Sequence, residues 1–262
     1  MTAVRRMSGW LGVVLVGLLL VSLLVGEAQA QAAEGSASLL ATLWKWAPLI
    51  GQGFLLNILI SVLAMTLGTI AGGALGLGQM SPVWPLRHAA QIVTQFFRNA
   101  PWLVLLFYCI LLLPYELRLG GLVIPMPAWI KATVGLALPV MGNVSEIVRG
   151  GVQALPQTQW DSAESLAFSR SQTLWMVILP QAVKPMLPPW MNLYAVLIMA
   201  TPLVSVVGVE EAMTLTRFAL SAENRSDLLL PMYLALLIAF FAYCYPIARW
   251  TARLERRFAV KL

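Results

Sequence analysis

Three windows of this chain, residues 53–78, 187–207 and 228–248, contain no charged side chain at all. Each is long enough to cross the hydrocarbon of a bilayer, which takes about 20 residues at a rise of about 1.5 Å each. A water-facing surface built from such windows would expose unbroken apolar area, so lipid must be their solvent. Composition agrees, with 60% hydrophobic and 11% charged residues against about a quarter charged in an average soluble domain. The expectation is an all-α membrane protein with several spans.

Two further windows, 94–113 and 129–147, are nearly as apolar, which makes five core spans; a shorter hydrophobic segment, 10–25, precedes them. The span at 129–147 is interrupted by Pro139 and Asn143, and the one at 187–207 opens in a proline-rich stretch. Both are tolerable where neighbouring helices or water satisfy the freed backbone groups. Residues 1–30 have Arg5 and Arg6 before the apolar run and Ala28-Gln29-Ala30 after it. That layout fits either a cleaved signal peptide or an uncleaved anchor helix. In both cases the chain near Gln31 lies outside the cytoplasm. Twelve of the 17 Lys and Arg residues then fall in cytoplasmic stretches and five outside, the bias that orients spans and puts the C-terminus in the cytoplasm. The net charge of +6 is therefore an orientation signal. No basic run is interleaved with aromatics, and nucleic acid is not an expected partner.

Gly68, Gly72 and Gly76 recur every four residues on one helix face, the spacing that lets two helices approach closely in lipid. The expectation is an ordinary packed pair. Trp44, Trp46, Trp84, Trp102 and Trp129 lie near span ends, where aromatic rings favour the interface. His88 is the single histidine, so a metal site is not expected, and Cys109 and Cys244 are far apart in apolar runs. Neither His-Glu-x-x-His nor Gly-x-Ser-x-Gly occurs, and an enzyme is not expected.

The polar stretch 155–181 stands between apolar helices. Pro156 suits a helix start, Ala163, Leu166 and Ala167 share one side, and Ser169 is placed to cap a second short helix ending near Pro180. Two short helices and a tight turn make a cytoplasmic knob for a soluble partner to grip.

This stretch resembles the cytoplasmic loop of ABC importer membrane subunits: Glu-Ala-Ala, three residues, Gly, nine residues, Ile-x-Leu-Pro. Asp161, Ser162 and Ala163 take the first places, Ala167 the Gly place, and Val177 to Leu179 and Pro180 the last. Alanine at the Gly position suggests a turn of different shape or a weaker contact, because Gly supplies positive φ without steric penalty. Phe97-Arg98-Asn99-Ala100-Pro101, Glu146-Ile147-Val148-Arg149-Gly150-Gly151, and Asn192, Thr201, Leu203, Ser205 and Gly208 are similar to patterns of the polar amino-acid branch. Met199-Ala200 and Pro202 depart from that branch. The resemblance covers about residues 45–260.

It implies the type I ABC importer permease fold in a bacterial inner membrane, with a second permease chain completing the path. ATP-binding subunits would grip the 155–181 loop, and a periplasmic or extracellular solute-binding protein would deliver a polar amino acid. No Gly-x-x-x-x-Gly-Lys-Ser/Thr run occurs, so ATP would be used by the partner and no cofactor is expected here. Asn57, Asn143, Thr201 and Ser205 are polar groups in apolar runs, open to two readings: they line the path, or they hydrogen-bond helix to helix. Glu146 and Arg149, three apart, fit an ion pair supporting the knob, a gate or a solute contact. A membrane scaffold that moves no solute is the alternative function.

Overall fold

The computed structural model describes residues 36–119 and 122–258. The first apolar segment and the Ala28-Gln29-Ala30 run lie outside them. The chain divides into two compact units, residues 1–48 and 49–262; the described part of the first is helical, and the functional elements lie in the second. Helix α1 is Ser36–Gln79, α2 Trp84–Asn99, α3 Trp102–Leu112, α4 Ala128–Gln153, α5 Gln157–Ser165, α6 Arg170–Gln172, α7 Leu179–Ala200, α8 Ala212–Glu223 and α9 Leu229–Phe258. Strands β1, Glu116–Leu119, and β2, Leu122–Pro125, pair antiparallel with Leu117 opposite Ile124.

Helix α4 is the centre. It packs on α2, α3 and α7, and its Leu136 and Val140 are fully buried. Because protein surrounds it, α4 tolerates Lys131, Glu146 and Arg149 along its length. Three described helical segments are long and apolar enough to span a membrane by length and composition, Leu39–Gln79, Arg170–Val207 and Ser226–Arg256, or four if α2 and α3 make one bent span.

That bend corrects the expected span at 94–113. Pro101 has no N–H to donate and crowds the residue before it, so Ala100 takes extended backbone (ψ 138°). The two helices meet at 105°. Residues 94–99 thus belong to α2, and α3, at about 17 Å, is too short to cross alone.

The glycine face of α1 lies on α4. A Cβ added at Gly68 would come within 2.4 Å of Val140 Cγ1, and at Gly72 within 2.5 Å of the Met141 carbonyl oxygen. This is the packed pair expected from the spacing. Polar groups bind the same bundle. Trp190 Nε1 donates to Thr69 Oγ1 at 2.9 Å, and the Tyr194 and Tyr243 hydroxyls share a hydrogen bond of 2.8 Å. Gln79 Nε2 donates to Ser145 Oγ at 2.8 Å and Thr94 Oγ1 at 3.2 Å.

The second knob helix does not end near Pro180 as expected. From Arg170 the chain stays helical through a π-helical stretch, Thr173–Ile178, into α7. Pro180 cannot donate to the carbonyl one turn back, and the wider turn just before it relieves the clash. The rod breaks later, in a 3₁₀ segment, Thr201–Val207, closed by Gly208 at φ 84°. Glu211 then caps α8, accepting from the Met213 and Thr214 amides at 2.9 Å each.

Candidate functional site

A cavity of about 680 Å³ opens between α2, α3, α4 and α7. Its walls bring together Arg98 and Trp102 from the bent pair, Asn143, Glu146, Arg149, Gly150 and Gly151 from α4, and Pro185, Pro189 and Asn192 from α7. The charged groups are organised around one carboxylate. Arg149 Nη2 lies 2.7 Å from Glu146 Oε2 and its Nε donates to Oε1 at 3.3 Å. Arg98 Nη1 is 3.7 Å from the same Oε2, and Arg149 Nη1 donates to Gln153 Oε1 at 2.8 Å. The Glu146 side chain is 13% exposed. The expected Glu146–Arg149 pair therefore forms, and Arg98, 48 residues earlier, joins it. An open cavity with two guanidiniums and one carboxylate in an apolar bundle can hold both ends of a zwitterion.

The 155–181 stretch folds into a knob on the end of α4. Val152, Ile178 and Ala182 form its core, against which Met80, Leu155, Trp160 and Leu174 pack. Ala163 is buried, while Asp161, Ser162 and Pro180 are exposed and Leu179 is half-buried. Gln157 Nε2 donates to Asp161 Oδ1 at 3.2 Å. Helix α5 ends with the Phe168 amide donating to the Ala163 carbonyl at 3.1 Å and the Ala167 amide to the Glu164 carbonyl at 2.8 Å. This pair of bonds needs a left-handed residue at the second position, and Ala167 adopts it, φ 59°. The turn thus keeps its glycine-type shape with a side chain present, instead of changing shape as the substitution suggested. Ser169 follows with a reciprocal cap involving Gln172. Ala167→Gly is expected to leave the fold intact and stabilise it slightly, by at most about 1 kcal/mol. Left-handed strain of about 1–2 kcal/mol disappears while glycine's greater chain entropy takes part of it back. Thermal unfolding of the purified protein checks this, and a large loss of stability would mean the turn is misplaced.

Residues 64–260 match the family described as the binding-protein-dependent transport system inner membrane component. The chain belongs to this family. Among similar permeases, the inner membrane amino-acid ABC transporter permease protein YhdY of Escherichia coli (strain K12) is 30% identical over 79% of this chain, which spans only 55% of that relative's length. The probable amino-acid ABC transporter permease protein YckA of Bacillus subtilis (strain 168) is 31% identical over 81% of this chain and 90% of its own. A solved structure titled as an amino acid ABC transporter with histidines superposes with a TM-score of 0.71 at 25% identity, covering 83% of this chain and 97% of that one.

In this permease the candidate path residues separate into two groups. Asn143 lines the cavity, its Nδ2 donating to the Pro139 carbonyl at 2.8 Å. Asn57 and Thr201 are fully buried elsewhere: Asn57 Nδ2 donates to Thr201 Oγ1 at 3.0 Å and to Glu211 Oε2 at 3.1 Å, and its Oδ1 accepts from the Ala212 amide at 3.2 Å. Ser205 is half-buried in the 3₁₀ segment. Arg98 and Asn192 are cavity residues that reasoning about isolated polar groups missed. Their signal was present, since both lie in the runs that carried the family resemblance.

Proposed function

We propose that this permease subunit forms part of the transmembrane path for a polar amino acid in an ATP-driven importer. One observation carries the reading. Arg98, then Glu146, Arg149, Gly150 and Gly151, and Asn192, far apart in sequence, meet in the walls of one cavity. An amino acid carries a carboxylate and an ammonium group, and Arg98 with Glu146 offers the complementary pair. The similar permeases are named as amino-acid ABC transporter proteins, which supports the same solute class.

The knob, residues 155–181, docks an ATP-binding subunit on the cytoplasmic side. Exposed Asp161, Ser162 and Pro180 present the contact, and the continuous rod from Arg170 into α7 carries its movement to cavity residues Pro185, Pro189 and Asn192. A second permease chain closes the open side, and an external solute-binding protein loads it. The path then alternates between two states biased by nucleotide and solute. The C-terminus lies in the cytoplasm, following the arginine excess there.

Proteoliposomes containing the permease, its ATPase and its binding protein, tested with a panel of labelled amino acids, should show uptake dependent on ATP. Asp161→Trp should abolish that uptake while leaving insertion intact, because an exposed bulky ring prevents seating. Uptake unaffected by this variant would reject the docking role; no ATP-dependent uptake of any amino acid would reject the transport reading.

A further inference from the structure

A second cavity, about 540 Å³, lies where the knob meets the ends of α1, α2 and α4. Its charged lining is all of one sign: Arg87 from α2, Arg149 from α4 and Arg170 from α6, with no Asp or Glu among the lining residues. Gln91 and Gln153 add neutral side chains able to donate, and Trp84, His88 and Trp160 add flat rings. Arg149 is committed to Glu146. Arg87 and Arg170 make no ion pair among the described residues. Two guanidiniums from separate elements therefore face one concave space without a counter-charge, an arrangement whose self-repulsion an anion would relieve.

We propose that this cavity binds a phosphate-bearing anion, with the headgroup of an anionic lipid as its source. Guanidinium forks match tetrahedral phosphate oxygens in geometry. The position favours lipid over a soluble ion. The rim is the first turn of α2, where Trp84 is 63% exposed and stacks on His88 with ring centroids 5.3 Å apart. Exposed Leu86, Ile92 and Phe96 continue along the same helix, apolar surface on which acyl chains can lie. Tryptophan at headgroup level and basic pockets between helices on the cytoplasmic side are what anionic headgroups meet in a bilayer. Arg149 lines both cavities, but its guanidinium is already paired with Glu146 and Gln153, so the anion is left to Arg87 and Arg170.

The test uses the full-length purified permease in neutral detergent and reads binding, not uptake, so it stands apart from the transport proposal. Short-chain phosphatidylglycerol, short-chain phosphatidylcholine and inorganic phosphate are titrated separately, with thermal unfolding and retained lipid as readouts. Phosphatidylglycerol should bind and raise the melting temperature, phosphatidylcholine should not, and Arg87→Gln should weaken the effect about tenfold, the value of one charge-assisted hydrogen bond. Arg87→Lys, which keeps the charge, should retain most of it. Stabilisation by inorganic phosphate as strong as by the lipid, lost in Arg87→Gln, would keep the anion site and replace its source with a soluble phosphate. If Arg87→Gln fails to fold, Arg170→Gln provides the same comparison from another element. Equal binding of both lipids, no effect of any anion, or full binding in both Gln variants would overturn the proposal.

Discussion

Glu146→Ala is expected to reduce ATP-driven uptake by roughly thirtyfold to a hundredfold while the protein still reaches the membrane. The carboxylate is 13% exposed and takes Arg149 at 2.7 Å and Arg98 at 3.7 Å. Its removal leaves two guanidiniums in one cavity without their shared counter-charge. Breaking a buried pair by deleting one partner costs about 3–5 kcal/mol. Partial exposure of both arginines lowers this to about 2–3 kcal/mol, and each 1.4 kcal/mol is a factor of about ten. Uptake assays in proteoliposomes and thermal unfolding of the purified variant read the two consequences separately. Glu146→Gln, which keeps the shape and loses the charge, should fall between. The double variant Glu146→Ala/Arg149→Ala should regain part of the stability, because the two side chains interact and their effects do not add. Wild-type uptake by Glu146→Ala would remove this cavity from the path.

Gly72→Leu should prevent the bundle from forming. A Cβ there would sit 2.5 Å from the Met141 carbonyl oxygen and 2.7 Å from Val144 Cβ, and backbone cannot move aside as a flexible side chain can. The remainder of a leucine would push α1 off α4. Added atoms in a packed core usually cost about 1–3 kcal/mol and occasionally more. Here the displacement would also strain the links α1 makes through Asn57, Thr69 and Gln79, so a loss above about 3 kcal/mol is expected. The neighbouring residue supplies the control. Gly73 points where nothing lies within 4 Å, and Gly73→Leu should be tolerated. Protease resistance and melting temperature of the two variants check this, and equal behaviour would refute the packing of α1 on α4.

Most element types were legible, but their ends were not. Apolar windows located the helices because lipid-facing surface has to be apolar throughout. The same criterion started the span at 94–113 too early, since Phe96 and Phe97 extend its apolar run back across Pro101, where the chain turns by 105°. The hairpin of β1 and β2 escaped notice because four residues per strand carry almost no period. Helix α8 was hidden for a different reason: its start depends on Glu211, whose carboxylate is fully buried and held by Asn57 from α1. No local pattern reports a cap stabilised from 154 residues away.

Asn57, Asn143, Thr201 and Ser205 show where reasoning from single residues stops. All four are polar groups in apolar runs, and all four had the same two readings. Asn143 lies in a cavity wall, while Asn57 and Thr201 hydrogen-bond to each other at 3.0 Å. What separates them is which neighbour faces them, and that is a property of packing.

From its residues alone, this chain was bound to be a helical, multi-span membrane protein with its arginine excess on one side and a polar knob between two spans. Those features follow from transfer of side chains between water and lipid and from local backbone preference, which each residue carries with it. Only the tertiary structure brought Arg98, Glu146 and Asn192 to one cavity, aligned the knob and α7 as a single rod, and placed Arg87 and Arg170 around a second space. Such meetings depend on helix crossings, and a crossing is decided by surfaces distant in sequence.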